Sequence, residues 1–331
     1  MKIARVVACT ALSVVGVSIA VQAHAQAMVK ADGSSTVYPI TEAVAEDFQK
    51  SKQNKIRVTV GISGTGGGFK KFCRGETDVS NASRPITKKE IEDCKAAGIQ
   101  FIEMPVAYDA LTVVVNPKNT WAKTMTVEQL KAIWEPAAQG KMTNWKQVNP
   151  EWPDRPLKLY GPGADSGTFE YFTEAINGKS KATRGDFTAS EDDNVLVQGV
   201  ARDVGGLGYF GYAYYIENKD KVQAVAVTAG GKAPVAPSLE TVVNGTYQPL
   251  ARPIFIYVNA KAATRPEVKE FVEFYMKHGE KLAKEVKYVP LPSKAYTYNL
   301  NHFSKAQVGT KFDGENKVGL TIDELMKIEA K

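Results

Sequence analysis

Cysteine and histidine are both scarce, three of each among 331 residues, and their scarcity removes several chemistries at once. Cys73 and Cys94 have no neighbours at metal-ligand spacing, so neither a metal site nor a cofactor is expected. A serine hydrolase built on Ser166 fares badly. Ala164 stands where a nucleophile elbow needs glycine, and His278 and His302 lie far along the chain. A phosphate loop is missing too, because Gly178-Lys179-Ser180 has Thr173 in place of the first glycine. Lysine and arginine outnumber aspartate and glutamate by 42 to 36, but no stretch packs basic residues densely, which argues against a dedicated nucleic-acid binder. Beyond Val21 no run is apolar enough to span a bilayer.

The apolar run that does exist is N-terminal. Lys2 and Arg5 precede Val6 to Val21, and Ala23-His24-Ala25 fits a small-x-small cleavage site. Residues 1–27 therefore read as an export signal, cut near Ala25 or Ala27. Val6-Val7-Ala8-Cys9 resembles a lipoprotein box but lies ahead of the apolar run, so lipidation is not expected. Losing the two cations Lys2 and Arg5 lowers the formal net charge from +6 to +4. Export also removes Cys9 and leaves Cys73 and Cys94 on neighbouring predicted helices. These two are expected to form a disulfide closing a short loop, worth about 3 kcal/mol.

What the chain has in quantity is one kind of helix entrance. Tyr160-Gly161-Pro162-Gly163 suits a sharp turn, and Ala164-Asp165-Ser166-Gly167-Thr168 then leads into Phe169, Phe172 and Ile176 at helical spacing. Gly33-Ser34-Ser35-Thr36 precedes an amphipathic run from Thr41 to Gln49, and Ser63-Gly64-Thr65-Gly66-Gly67-Gly68 precedes Phe69. Taken singly, each is an ordinary N-cap. A helix start also carries unpartnered N–H groups and a partial positive charge, so three such entrances brought together would cage a tetrahedral oxyanion. Arg84 lies between Ser83 and Pro85, its backbone restricted by the proline and its planar fork suited to an oxyanion. The plainer reading of Arg84 is a solvated surface pair.

Strand and helix alternate from Lys55: a strand at Ile56 to Val60, a helix to Arg74, a strand near Val79, a helix from Thr87 to Ala97, a strand at Phe101 to Met104. Alternation of this kind predicts an α/β fold, each sheet mainly parallel and flanked by helices, with ligands at the carboxyl ends of the strands. Asp109 to Pro117 and Arg252 to Asn259 are two similar β-forming runs, each containing Val-Asn, that bracket a middle segment. They read as two hinge crossings between lobes. Helices are predicted over Thr126 to Trp134, Ser190 to Arg202, Glu267 to Ala283 and Ile322 to Ala330, and a turn into a strand over Gly205 to Tyr212. The Tyr/Phe cluster at that turn reads as lobe core.

The ordered set Gly33-Ser34-Ser35-Thr36, Ser63 to Gly68, Ala82-Ser83-Arg84-Pro85 and Asp165-Ser166-Gly167-Thr168 resembles the exported phosphate-binding proteins that feed high-affinity phosphate ABC importers. The resemblance covers nearly the whole chain after the signal. It implies a type II periplasmic-binding-protein fold whose two α/β lobes close over one anion, with residues 28–108 and 256–331 as the first lobe and 109–255 as the second. It implies inorganic phosphate and an inner-membrane permease as partners, a monomer in the periplasm, no catalysis and no nucleic acid. Ser35, Thr36, Ser63, Thr65, Ser166, Gly167 and Thr168 match the family's helix entrances. Some members have aspartate after Ala-Ser and arginine four residues before Ser-Gly-Thr, where this chain has Arg84 and Pro162. Asp165 is then expected to restore the pair with the signs exchanged between lobes. Sulfate, molybdate or tungstate are the alternative ligands.

Overall fold

The computed structural model describes residues 27–164, 166–190, 192–314 and 322–327. The first third of the chain gives β1 (Ala27–Gly33), α1 (Tyr38–Ser51), β2 (Ile56–Ile62), α2 (Gly64–Cys73), β3 (Val79–Ala82), α3 (Lys88–Ala96) and β4 (Phe101–Val115). The middle gives β5 (Thr124–Thr126), α4 (Val127–Trp134), α5 (Trp145–Val148), β6 (Lys158–Pro162), α6 (Gly167–Asn177), β7 (Thr188–Ser190) and α7 (Asp193–Arg202). It continues with β8 (Gly206–Gly211), α8 (Tyr212–Glu217), β9 (Gln223–Ala224), β10 (Ala226–Thr228) and α9 (Leu239–Val243). The last part gives β11 (Ala251–Asn259), α10 (Pro266–Glu285), β12 (Val289–Pro290), α11 (Ser293–Ser304) and α12 (Ile322–Lys327).

One curled sheet organises these elements, in the order β2-β1-β3-β11-β4-β8-β6-β7. Its outer strands pair in parallel, β2-β1-β3 on one side and β8-β6-β7 on the other. The two strands of the middle run antiparallel: β11 to both β3 and β4, and β4 to β8. The expectation of mainly parallel sheets thus holds for the outer strands, and the crossing strands add an antiparallel seam.

The seam is β4. All 15 of its residues are buried, so it carries a nearly unbroken apolar run with both faces covered. The sequence predicts two separate strands here, Phe101 to Met104 and a run from Asp109, and the structure joins them through Pro105. Pro105 is accommodated at a register shift, where Phe255 pairs with Pro105 but Ile254 with Ala107. A residue without an N–H is tolerated at such a bulge, and the Pro105 carbonyl accepts from Asn299 Nδ2 at 2.7 Å. β4 keeps β11 as partner up to Ala110 and takes β8 from Leu111 onward. That exchange divides the sheet into two halves.

Helices cover the sheet where their apolar faces dictate. α1 and α10 pack together through Phe48 and Phe271, ring centres 5.4 Å apart, and Trp134 of α4 meets Phe172 of α6 at 5.6 Å. Tyr209 and Phe210 of β8 are fully buried, in agreement with the core reading of that cluster. Cys73, at the end of α2, is bonded to Cys94 in α3 as expected. The predicted export signal lies outside the described residues except for Ala27, which is already in β1 opposite Ile56. No helix among the described residues is long and apolar enough to cross a membrane.

Candidate anion-binding site

The three helix entrances and the Ser83–Pro85 turn all lie at carboxyl ends of parallel strands: β1 into α1, β2 into α2, β6 into α6, and the end of β3. In the first half of the sheet they are pressed together. Gly33 has φ +141°, and a Cβ there would stand 2.2 Å from the Asn81 carbonyl oxygen. A Cβ on Gly68 of α2 would come within 2.6 Å of Gly33 Cα. Only glycine allows these approaches. The Ser34 N–H donates to Asn81 O at 2.9 Å and the Ser63 N–H to Gly33 O at 3.0 Å, stitching the three strand ends into one rim.

On that rim the side chains hold one another. Asp32, almost fully buried, accepts from the Ser63 hydroxyl and from Lys71 Nζ at 2.8 Å. The Ser63 hydroxyl is therefore engaged within its own half. Thr65 Oγ1 lies 3.1 Å from Ser83 Oγ and accepts from the Ser83 N–H at 3.2 Å, tying the start of α2 to the end of β3. Thr36 is buried and Ser35 half-buried. The Thr36 carbonyl accepts from the Tyr288 hydroxyl at 2.7 Å.

Arg84 is held in a partly buried ion pair. Its fork is bidentate to Glu90, at 2.9 and 2.8 Å, with a third bond to Pro85 O at 3.1 Å. Its partner is thus a carboxylate of its own half. Glu90 is fixed in turn by the capping box of α3, accepting from the Thr87 N–H and hydroxyl. Burial alone would raise the Glu90 carboxyl, but the Arg84 fork and the Thr87 donors outweigh it and hold its pKa below the usual carboxylate range. Three bonds leave two of the five guanidinium donors for another acceptor. A Cβ on Gly66 would stand 3.9 Å from Arg84 Nη2, so the fork lies beside the first turn of α2. The chain beyond Arg84 is pinned by Ile86 N–H to the Tyr257 hydroxyl at 2.9 Å, which donates to buried Glu103 at 2.8 Å.

The second half supplies one entrance. Ser166 is the N-cap of α6, its Oγ accepting from the Thr168 N–H at 3.2 Å. Gly167 is seated against the first half: a Cβ there would be 2.7 Å from Thr36 Oγ1, 3.0 Å from Thr36 Cα and 3.1 Å from Thr36 N. The entrances of α1 and α6 are thereby brought together, with Thr65, Ser83 and Arg84 on the same rim as Thr36. Asp165 lies outside the described residues.

Four residues of this arrangement are not among those singled out in the sequence: Asp32, Lys71, Glu90 and Tyr288. Glu90 had a signal, since Thr87-x-x-Glu90 is a capping-box pattern. Asp32, Lys71 and Tyr288 act through contacts that only the sheet topology creates.

Comparison with known proteins places the whole chain. A family model described as a PBP superfamily domain matches residues 20–278. Protein SphX of Synechococcus elongatus is 56% identical to this chain, over 93% of it and 91% of the relative. Phosphate-binding protein PstS of Staphylococcus saprophyticus is 41% identical, over 81% of this chain and 82% of the relative. The crystal structure of a possible phosphate binding protein from Planctomyces limnophilus superposes with a TM-score of 0.81 at 49% identity, covering 85% of this chain and 99% of that one.

Proposed function

This chain belongs to the PBP superfamily and, within it, to the family of the PstS and SphX proteins, and on that premise we propose that it captures inorganic phosphate between two lobes and passes it to the permease of an ABC-type importer. The observation that carries the reading is the seating of Gly167 on Thr36, which gives helix entrances from both sides of the seam a common focus. The lobes of the proposal are residues 28–108 with 256–331, and residues 109–255, close to where β4 exchanges β11 for β8. The protein works after export, as a periplasmic monomer, and it binds without catalysis. The Ser166 hydroxyl serves as a helix cap, a role that suits a donor row better than a nucleophile.

In this proposal the anion is held by N–H and O–H donors of Ser35, Thr36, Thr65, Ser166, Gly167 and Thr168, with Arg84 offsetting its charge through the donors that Glu90 leaves over. Ser63 contributes by shaping the rim, since its hydroxyl is bound to Asp32. Asp165, next to Ser166, is proposed to read the phosphate proton. A carboxylate only accepts hydrogen bonds, so it welcomes protonated phosphate and repels fully ionised sulfate. The same contrast favours phosphate over molybdate and tungstate.

Calorimetry of anion-free protein against phosphate, arsenate, sulfate and molybdate tests the reading. Phosphate is expected to bind at least ~100-fold more tightly than sulfate or molybdate, a gap of about 2.7 kcal/mol. Absence of a phosphate signal, or a preference for another anion, would contradict it.

A further inference from the structure

Away from the donors, an arginine sits where the crossing strands meet α6. Arg252 on β11 lies opposite Asp109 on β4, next to the last pair the two strands make. Both side chains are largely buried, 12% and 6% exposed, with Nε and Oδ2 3.6 Å apart. Neither of those atoms has a hydrogen-bond partner, so the two charges attract across a gap that no hydrogen bond closes. The rest of the guanidinium is turned to α6. Its central carbon lies 3.6 Å from the centre of the Tyr171 ring, and Nη1 donates to Glu174 Oε2 at 3.3 Å. Tyr171 donates its own hydroxyl to Pro249 O at 2.6 Å, just ahead of β11.

Tyr171 and Glu174 are three residues apart and so share one face of the helix. Tyr171 is less than a turn from Thr168. A helix behaves as a rod over such distances, so a grip on its first two turns sets where its N-terminal N–H groups point. Arginine suits this grip because one planar group can stack on a ring and pair with carboxylates on both sides. Thr168 and Asp109 also line one cavity of about 190 Å³, together with Tyr288, whose hydroxyl holds Thr36. The donor end of α6 and the crossing strand thus share walls.

We propose that Arg252 is a positioning residue for phosphate capture, tying the Ser166–Thr168 end of α6 to the crossing strand β4 through Asp109, Tyr171 and Glu174. The proposal rests on the phosphate reading of the site. Arg252 touches none of the donors, so it governs how long the anion is held and leaves the phosphate-to-sulfate ratio unchanged.

The test is a double-mutant cycle on phosphate affinity and release, by calorimetry and stopped flow, with Arg252→Met, Arg252→Lys, Glu174→Gln and the combinations. Arg252→Met is expected to weaken phosphate tenfold or more through faster release. Arg252→Lys keeps the charge without the fork or the flat stack, and is expected to fold normally while still losing severalfold. Glu174→Gln is expected to cost about threefold in the native background and nothing when Arg252 is replaced. Should Arg252→Met not fold, Arg252→Lys and its combination with Glu174→Gln decide. Variants within twofold of native, or a Glu174→Gln effect equal in both backgrounds, would overturn the proposal alone. A native protein that fails to bind phosphate would overturn the site reading and this proposal with it.

Discussion

The two sides of the site are built on different plans. In the first half of the sheet the rim is braced from within: Asp32 holds Ser63 and Lys71, Thr65 holds Ser83, and Glu90 holds Arg84. In the second half a single helix end carries the donors, and its bracing comes from behind, where Arg252 meets Tyr171 and Glu174. A rim whose polar groups already have partners needs no reorganisation to receive an anion, which is how a binding site keeps its ordering cost low. A helix end tied to a crossing strand can move as a unit with that strand. In the proposed function the first half is thus the fixed cradle and the second the moving clasp.

Replacing Arg84 by methionine should break the cradle most severely. Glu90 would be left largely buried without its cation, a loss of about 3 kcal/mol in stability, and every anion should bind at least ~100-fold more weakly. Calorimetry and thermal melting check both numbers. On the clasp, Asp165→Asn should act more narrowly: phosphate weakens by about 2 kcal/mol, the range of a charged hydrogen bond, and the phosphate-to-sulfate ratio falls. An unchanged ratio would reduce Asp165 to a helix cap.

The crossing between cradle and clasp carries a pH signature. Burial pushes the Asp109 carboxyl up to about 6, and Arg252 only partly offsets it. The folded protein thus holds the Asp109 proton more tightly than the unfolded chain does. The associated stabilisation is complete below pH ~4 and fades as pH rises through about 6, at most about 3 kcal/mol. Asp109→Asn stays neutral throughout. The melting temperature of the variant minus that of the native protein should therefore rise between pH 5 and pH 7.5, and a constant difference would rule out the shift. The smallest effect on binding is expected from reducing Cys73–Cys94. The melting temperature should fall, since closing that loop is worth about 3 kcal/mol. Phosphate affinity should change less than twofold, because Thr87 and Arg84 hold Glu90 independently of the disulfide.

The contrast between the two halves also marks where the sequence could be read. Ser166 and Thr87 cap the helices that follow them, so the local signals at α6 and α3 were sufficient. Arg84 pairs with Glu90 because its fork meets a carboxylate already held by the capping box of α3, a partner six residues away that the local pattern around Arg84 does not name. Asp109 and Arg252 meet only because β4 and β11 pair, which no local pattern encodes. That β4 runs on through Pro105 is not legible locally, because the bulge that tolerates it is made by Ile254 and Phe255 on another strand. α11 went unread for a different reason. Its buried face runs Ala295, Tyr296, Asn299, His302 and Phe303, a helical spacing in which two polar residues hide the apolar stripe. Asn299 is buried there to serve the Pro105 carbonyl.

The claim that cradle and clasp meet over one anion is tested most directly by phosphate calorimetry of Gly167→Ala. The added methyl would press on Thr36 where the two entrances meet, 2.7 Å from its Oγ1 and 3.0 and 3.1 Å from its backbone Cα and N. The account predicts phosphate affinity reduced at least ~10-fold, about 1.4 kcal/mol. Affinity within twofold of native would contradict it.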